Sequence, residues 1–272
     1  MRPSPKRFAG AARFDEVAAQ YDRTRPAYPA EIIDALLELT GAGANSQVLE
    51  VGAGTGKASR DVAPRVGRLV CVEPGPGLAA IARQWLGSSA EVVESRFEEY
   101  ETADRFDVIF SATAWHWVDP KVGYRKAWEL LKPGGFLAIL LYVHAFPEGF
   151  DPFFEQMQEV YEAIREPGEE RFPWPPPKPE ERPDGHAPIV ESGLFEAAGC
   201  RRVVWEVEYT GEQYAELLGT FSDHLAMPAE KWDLLHAEAL RIAASRVIRK
   251  HYLATLAVGR RLEAGSVGEP GD

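Results

Sequence analysis

Apolar runs that alternate with helix-like segments constrain the fold of this chain more than any other feature of its sequence. The runs are almost continuously hydrophobic, which is typical of strands that are covered on both faces. Parallel strands need long crossover connections, and the segments between the runs supply them. We therefore predict a parallel sheet with strands at Gln47–Val51, Arg68–Glu73, Glu91–Glu94, Phe106–Ser111 and Gly135–Val143, and helices at Ala58–Arg65, Gly77–Leu86 and Lys121–Leu131.

The second half of the chain contains a proline-rich segment, Pro167–Pro188, with eight prolines among 22 residues. Proline at this density disfavours helix and sheet interior, so an extended segment is expected. It is either a surface loop or a lid over a site, and the aromatic residues Phe172 and Trp174 favour the lid, because a solvated linker has little use for them. Around it the pattern predicts helices at Asp151–Glu166, Gly211–Phe221 and Pro228–Ser245, and strands at Arg201–Tyr209 and His251–Val258.

The composition is that of a folded, acidic protein with 272 residues, 45% hydrophobic residues and a net charge of −12. The excess of acid argues against a nucleic-acid or membrane partner, because each neutralised phosphate needs a Lys or Arg. Two cysteines, Cys71 and Cys200, form no disulfide framework, and no spacing of ligating residues indicates a metal. No apolar stretch approaches the roughly 18 residues of a membrane span. The N-terminus lacks the apolar core of a secretory signal, so a cytoplasmic protein is expected.

A glycine-rich segment, Glu50–Gly56, follows the first predicted strand. Glycines at this point let the backbone pass close to a ligand and begin a helix whose N-terminal amides face the site. The spacing is G-x-G-x-G, and Lys57 stands where the dinucleotide-binding pattern needs its last glycine. Glu50 places a carboxylate directly before the loop, which suits a ligand with an ammonium and a sulfonium better than a pyrophosphate.

A second acidic residue, Glu73, ends the second predicted strand and is followed by Pro74. An acidic side chain at that strand tip can accept hydrogen bonds from both ribose hydroxyls of a nucleoside. Together with Glu50 and the ordered series of strands, Glu73 predicts a nucleoside cofactor at the carboxyl edge of the sheet.

These features resemble the class I S-adenosylmethionine-dependent methyltransferases, in particular the small-molecule branch that includes trans-aconitate methyltransferase-like enzymes. The resemblance runs from about Phe14 to Val143, with a weaker match through Arg261. The combination of motifs is specific, although no single motif is. They are Tyr21–Pro26, Glu50–Gly56, Glu73, Phe106–Ile109, Trp115–Trp117 and Leu131–Gly135.

The resemblance implies a doubly wound, Rossmann-like α/β fold with a seven-stranded sheet of order 3-2-1-4-5-7-6, in which strand 7 is antiparallel. Residues 1–30 are then an N-terminal helical cap, and 31–145 the cofactor-binding core. Residues 146–200 form a helix and the proline-rich lid insertion, 201–262 complete the sheet and the roof, and 263–272 are a disordered tail.

The same resemblance implies S-adenosyl-L-methionine as cofactor and S-adenosyl-L-homocysteine as product. The residues expected to contact the cofactor are Tyr21 and Arg25 at its methionine end, Glu50 at its amino group, Gly52, Ala53 and Gly54 along the methionine, Glu73 on the ribose, Pro74 near the adenine, and Ser111 and Trp117 on the pocket wall.

The segment after the third predicted strand departs from the family pattern. The family often has an Asp there that accepts from the adenine amino group, whereas Ser95 stands closest to that place here. The adenine is then held by Ser95, by a backbone carbonyl, or by stacking on Phe97, and these alternatives stay open.

The loop Ser111–Trp117 follows the fourth predicted strand, at the edge where open parallel sheets bind ligands. His116 is a candidate general base for a substrate hydroxyl or amine, because imidazole titrates near neutral pH. Two alternatives stay open, namely that His116 contacts substrate without moving a proton, or that it packs between Trp115 and Trp117. The candidates for the acceptor side of the site are Trp115, His116, Phe172 and Trp174.

We expect methyl transfer to a small-molecule acceptor by in-line displacement, with no metal. The signature of enzymes that methylate the amino groups of bases is absent, because Ser111–Ala114 stands in its place, and this also disfavours a nucleic-acid substrate. Two other functions stay open: a non-catalytic module that keeps the cofactor pocket, and a nicotinamide-dependent oxidoreductase, which Glu50 and Lys57 disfavour. The acceptor is open, as is the choice between monomer and homodimer.

Overall fold

In a computed structural model, residues 14–166, 168, 174–244 and 246–263 are described, and they form a seven-stranded sheet with helices on both faces. The strands are β1 (Gln47–Val51), β2 (Arg68–Glu73), β3 (Glu91–Glu94), β4 (Phe106–Ala112), β5 (Leu131–Ala145), β6 (Phe195–Thr210) and β7 (Val247–Arg261). The helices are α1 (Ala18–Thr24), α2 (Ala30–Thr40), α3 (Ser59–Val62), α4 (Pro76–Leu86), α5 (Pro120–Leu130), α6 (Phe153–Ile164), α7 (Ala187–Glu191), α8 (Gly211–Leu218), α9 (Ser222–Leu225) and α10 (Ala229–Ala243), with short 3-10 turns at Ala63–Arg65, Trp115–Trp117 and Pro179–Glu181.

The sheet order is β3-β2-β1-β4-β5-β7-β6. Strands β1 to β5 pair in parallel, and β7 runs antiparallel to both of its neighbours. This order and the antiparallel strand confirm the expected doubly wound α/β fold. The carboxyl ends of β1, β2 and β4 therefore meet at one edge, where the glycine-rich loop and the loop after β4 begin.

The last three strands are longer than their apolar patterns predict. Strand β5 begins at Leu131, inside the Lys-Pro-Gly-Gly sequence, and a bulge follows its first pair with β4. Strand β6 begins at Phe195 and contains a bulge between Ala197 and Gly199. Backbone pairing needs no apolar side chain, so hydrophobic runs alone underestimate strands whose ends are polar or rich in glycine.

The proline-rich segment is not extended throughout, which corrects the expectation. A 3-10 turn forms at Pro179–Glu181, and α7 carries Pro188 in its first turn. Proline is tolerated at the first positions of a helix, because the missing N–H has no partner there in any case. Phe172 lies outside the described residues, as do residues 1–13 of the expected cap and 264–272 of the expected tail.

Helix α1 bridges the sheet core and the later helices. Gln20 donates to the carbonyl of Glu216 on α8 at 2.7 Å, while Asp22 on the same helix accepts from Arg60 next to the glycine-rich loop at 2.6 Å. The cap is thus fixed to both halves of the molecule. In the described part of the chain, no helix is long and apolar enough to cross a membrane.

Candidate cofactor-binding and active site

A cavity of about 250 Å³ opens at the carboxyl edge of the sheet. The glycine-rich loop, the tip of β2, the loop after β4 and the cap helix α1 form its walls. Most of the residues that the sequence proposes for the cofactor lie on these walls. They are Tyr21, Arg25, Glu50, Gly52, Ala53, Gly54, Glu73, Pro74, Phe97 and Trp117, and the candidate base His116 joins them.

The glycine-rich loop needs its glycines for two different reasons. Gly52 has a φ of 70°, and a Cβ there would lie 2.4 Å from the Cβ of Ala114, so only glycine lets the loop pack against the loop after β4. Gly54 has a φ of 58°, but a Cβ there would meet nothing within 4 Å. Its backbone therefore faces open space on the cavity wall, where a ligand can approach closely.

Glu73 joins the tip of β2 to the glycine-rich loop. Its Oε2 accepts from the Gly54 amide at 2.8 Å, and its Oε1 accepts from the Gly75 amide at 2.9 Å. Burial raises the pKa of this carboxyl above its ordinary value, although the two amide hydrogen bonds oppose the rise. Each carboxylate oxygen has a second lone pair, so Glu73 can still accept from hydroxyl groups in the cavity.

Glu50 is fully buried at the end of β1, and it accepts a short hydrogen bond from the hydroxyl of Ser59 on α3. Burial raises its pKa to about 8, with the hydrogen bond from Ser59 opposing the rise and the charge of Glu73 adding to it. At neutral pH the carboxyl is therefore mainly protonated, and a cationic group in the cavity would favour its ionised form. Ser59 was not identified from the sequence.

The cap is held by a network centred on Asp22, which the sequence did not indicate. Its carboxylate accepts from Arg60 at 2.6 Å and from the Trp85 indole at 3.0 Å. Burial opposes ionisation of Asp22, but these hydrogen bonds outweigh it and lower the pKa. Lys57, whose position excludes the dinucleotide glycine, donates to the Asp22 carbonyl at 2.7 Å. The residue that breaks the glycine pattern thus anchors the cap.

Arg25 borders the cavity and also reaches the helices that cover it. Its guanidinium donates to the hydroxyl and the carbonyl of Thr220, at 2.9 and 2.7 Å, and lies 4.5 Å from the ring centroid of Phe221. Arg25 therefore joins the cap to the segment between α8 and α9. Its proposed contact with a methionine carboxylate stays a prediction.

Two serines proposed for the cofactor do not reach the cavity wall. Ser111 is fully buried and donates to the Val51 carbonyl at 2.8 Å, which ties β4 to β1. The hydroxyl of Ser95 turns back to the Arg96 carbonyl at 3.0 Å. After β3, the residues that line the cavity are Arg96, Phe97 and Glu98. Backbone carbonyls accept from both hydroxyls, and the proposed contacts of Ser111 and Ser95 with the cofactor stay predictions.

Neither tryptophan that the sequence proposes for the acceptor side borders the first cavity. Trp115 is buried, with ring centroids 5.8 Å from Phe97 and 5.4 Å from Tyr124, and it borders a second cavity of about 390 Å³ on the α5 face of the sheet. Trp174 packs against Phe146 at 5.0 Å and does not border the first cavity. Aromatic content alone therefore does not locate the acceptor side.

His116 is exposed and borders both cavities. Its ring centroid lies 4.8 Å from that of Trp117. This position is compatible with the proposed base and with a substrate contact, and both stay predictions.

Thr113 has a φ of 58°, which is rare for a β-branched residue. Its hydroxyl pairs with the Tyr28 hydroxyl at 2.9 Å, and its amide donates to the Leu140 carbonyl at 2.7 Å. These bonds hold the strained turn that presses Ala114 against Gly52. The loop after β4 is thus set by a residue that sequence patterns did not single out.

A sheet of this order, with a glycine-rich loop after β1 and an acidic residue at the tip of β2, is the architecture of the class I S-adenosylmethionine-dependent methyltransferases. Residues 49–139 match the family described as "Methyltransferase domain". The fold and the match, which covers residues 49–139, agree on this class. Among the described residues, no group of three or more acidic, His or Cys side chains could hold a metal ion.

The comparisons with individual proteins agree with this class. The uncharacterized methyltransferase Rv3342 of Mycobacterium tuberculosis is 34% identical over 127 residues, which are 47% of this chain and 51% of that protein. The chain thus spans about half the length of this relative. The trans-aconitate branch stays a prediction.

Solved structures show the same fold. A putative type II methyltransferase from Anaeromyxobacter dehalogenans superposes with a TM-score of 0.59 at 21% identity, covering 87% of this chain and 97% of that one. The [4+2]-cyclase SpnF superposes with a TM-score of 0.56 at 16% identity, covering 95% and 98%. At these identities the likeness concerns the fold alone.

Proposed function

We propose that this protein transfers the methyl group of S-adenosylmethionine to a small-molecule acceptor by in-line displacement. The observation that carries the proposal is the pair of carboxyl groups, Glu50 and Glu73, which line the cavity together with the open backbone at Gly54. A ligand with an ammonium, a sulfonium and ribose hydroxyls is suited to such a wall, whereas a pyrophosphate is repelled by it. The family match at residues 49–139 supports the same cofactor.

In this proposal each part of the cofactor has a partner on the wall. Glu73 accepts from the ribose hydroxyls, and Glu50 ionises to hold the amino group. Pro74 and Phe97 supply the apolar wall beside the adenine. At the methionine end, Tyr21 and Trp117 form a cover with Phe14, whose ring centroid lies 5.7 Å from Tyr21 and 6.0 Å from Trp117.

When bound, the cofactor supplies an electrophilic methyl group: its bond to sulfur breaks, the electron pair of that bond stays on sulfur, and the new bond to the acceptor forms from the opposite side, leaving S-adenosylhomocysteine. The protein has to align the acceptor, exclude water and receive a proton where the acceptor carries one. Alignment of this kind can supply roughly 7–11 kcal/mol of a barrier. His116, at the mouth of the cavity, is the proposed proton acceptor.

The small-molecule acceptor is inferred from the enclosure and the charge of the protein. Residues of the cap, together with Ser222 and Tyr142, line the cavity. A net charge of −12 disfavours a polyanionic substrate. We propose that Trp174, against Phe146, is the part of the proline-rich segment that shields this region.

The first test is calorimetric titration of the purified protein with S-adenosylhomocysteine, with NADH as control. Micromolar binding of the first alone supports the proposal, and binding of NADH alone contradicts it. Glu73→Gln should then weaken binding about 10- to 100-fold, the equivalent of roughly 1.5–3 kcal/mol for hydrogen bonds to a charged group. Glu91→Gln, which alters an exposed ion pair with Arg68, is the matched control and should leave binding unchanged.

Turnover is tested with labelled methyl donor and a panel of acceptors. His116→Ala should keep the affinity for S-adenosylhomocysteine and lower the rate of transfer. Full activity in this variant removes the base assignment. Tight cofactor binding without transfer to any acceptor would instead favour a non-catalytic binding module.

A further inference from the structure

Three basic side chains, Arg25, His144 and Lys250, lie close enough for their charges to interact. His144 on β5 and Lys250 on β7 lie on one face of the sheet, because His144 pairs with Tyr252 and successive side chains of a strand alternate between faces. The last pair between β4 and β5 joins Ala112 to Leu140, so His144 lies on the part of β5 that extends past β4. Arg25 reaches the same region from the cap.

Lys250 is buried without a partner of opposite charge. The residue is 2% exposed, and aromatic rings surround its ammonium. No described residue accepts a hydrogen bond from it. The distances from Nζ to the ring centroids are 4.5 Å for Phe154, 5.4 Å for Tyr252, 5.8 Å for Tyr214 and 5.9 Å for Phe146. Cation–π contacts offset only part of the cost of removing an ammonium from water.

His144 lies among aromatic side chains on the same face of the sheet as Lys250. Protein surrounds the ring, whose centroid is 5.0 Å from Phe221 and 5.8 Å from Tyr252, yet the residue retains accessible surface. Burial lowers its pKa well below the ordinary value, and the nearby charges of Lys250 and Arg25 lower it further. The imidazole is therefore neutral and can offer both a donor and an acceptor nitrogen.

The charged groups that shift the pKa of His144 and of Lys250 are all basic. Lys250, Arg25 and His224 lower the pKa of His144, and Arg25 lowers the pKa of Lys250. Buried charges in proteins are normally paired, because an unpaired one loses its hydration without compensation. An anion bound beside these side chains would satisfy Lys250 and the remaining donors of Arg25 together.

The region adjoins the cofactor cavity. Arg25 and Tyr142 border that cavity, and the Tyr142 ring lies 5.5 Å from that of Tyr252, beside Lys250. A molecule held by the basic groups would thus lie next to the methionine end that the proposed function assigns to Tyr21. The side chains between the cofactor cavity and Lys250, Tyr142 and Tyr252, are aromatic. They favour an acceptor with a flat apolar body.

We infer that Arg25, His144 and Lys250 form the recognition site for the methyl acceptor, and that the acceptor is a small acid whose oxyanion, a carboxylate or a phosphate, is joined to a flat apolar body. This inference rests on the proposed function, because it identifies the acceptor side of the same site. In this inference the site has an acidic side for the cofactor, with Glu50 and Glu73, and a basic side for the acceptor.

The test is calorimetric titration of the protein saturated with S-adenosylhomocysteine. The probes are benzoate, phenyl phosphate and citrate, with uncharged benzamide as the matched neutral probe. At least one anion should bind saturably, and benzamide at least tenfold more weakly than benzoate. Comparison of benzoate with phenyl phosphate decides between the two oxyanions, and citrate reports whether the flat body is needed.

Substitutions of the basic residues test whether the anion binds at the proposed site. Lys250→Met should weaken anion binding at least tenfold, and His144→Gln should weaken it to a smaller extent. Both should keep the affinity for S-adenosylhomocysteine, which also shows that they fold. Lys121→Met, at an exposed position on α5, removes the same charge elsewhere and should leave anion binding unchanged.

The outcomes separate the two proposals. If no anion binds the saturated protein, if benzamide binds as well as benzoate, or if Lys250→Met binds anions like the original protein, the inference is wrong. The proposed function stands in those cases as long as S-adenosylhomocysteine binds. If S-adenosylhomocysteine does not bind, the proposed function fails, and titration of the anions alone still tests the basic site.

Discussion

The Asp22 carboxylate accepts a 2.6 Å hydrogen bond from Arg60, and this ion pair fixes the cap helix α1 to the first helix after the glycine-rich loop. The two side chains are 16% and 27% exposed, so solvent screens the pair less than it screens an ion pair at the surface. Trp85 donates to the same carboxylate and lies under the Arg60 guanidinium, 4.1 Å from it to the ring centroid. One wall of the cofactor cavity therefore depends on a contact outside that cavity.

We expect Asp22→Asn to weaken binding of S-adenosylhomocysteine about tenfold, or about 1.4 kcal/mol. The reason is that the neutral amide holds Arg60 less strongly, so Tyr21 and Arg25 are positioned less firmly. Titration calorimetry measures the change. Asp34→Asn is the control, because it disrupts an exposed ion pair with Arg65, at 2.7 Å, and should leave affinity unchanged. Equal affinities in the two variants would show that the cap does not depend on Asp22.

We expect Gly54→Ala to weaken cofactor binding more than tenfold at a small cost in stability. A methyl group at Gly54 meets no protein atom within 4 Å, so it projects into the space where the methionine part of the cofactor is proposed to lie. Gly41→Ala is the control, since Gly41 has a similar φ of 68° and also has nothing within 4 Å. Both variants should lose about 1–2 kcal/mol of stability from the left-handed backbone. Denaturant unfolding measures that cost, and comparable cofactor affinities would argue against the placement of the ligand.

We expect binding of S-adenosylhomocysteine at pH 7 to release up to one proton from Glu50. The unliganded carboxyl has a pKa of about 8 and is mainly protonated, and an ammonium group beside it would favour the ionised form. The release should disappear above pH 8, where the carboxyl is already ionised. Calorimetry in buffers of different ionisation enthalpy measures it. Glu50→Gln should abolish the release, and persistence of the release in that variant would contradict the role of Glu50.

We expect Lys250→Met to stabilise the unliganded protein, and more at low than at high pH. Burial lowers the pKa of Lys250 from 10.5 to about 7. Between these values the unfolded chain binds more protons than the folded one, so the stability of the original protein rises with pH. The gain from Lys250→Met, on the order of 2 kcal/mol, should therefore be largest below pH 7 and shrink toward pH 10. Urea unfolding at pH 6 and 9 measures it. Lys121→Met should show no such difference, and a gain equal at both pH values would contradict the explanation.

The sequence was informative where structure is local. The apolar runs predicted β1, β2 and β3 to the residue. Strands β1 and β2 are largely buried, and strands buried on both faces have continuous hydrophobic patterns. Glu50 and Glu73 were found for a similar reason, since each stands next to the end of such a strand. Their position in the chain fixes their place at the edge of the sheet.

Other parts of the site depend on residues far apart in the chain. The Asp22–Arg60 pair joins residues 38 positions apart, and no local pattern indicates it. His144 and Lys250 meet only because β5 and β7 are neighbours in the sheet. Ser111 also has a partner distant in the chain, because its hydroxyl donates to the Val51 carbonyl on the neighbouring strand β1.

Strands β5, β6 and β7 have 15, 16 and 15 residues, whereas β1 to β4 have four to seven. The acidic residues proposed for the cofactor, Glu50 and Glu73, stand on the short strands β1 and β2, whereas two of the basic residues proposed for the acceptor, His144 and Lys250, stand on the long strands β5 and β7. In the two proposals, mutations in the long strands change which acceptor binds and leave the binding of the methyl donor unchanged. Selectivity for the acceptor and use of the donor then depend on different strands of one sheet.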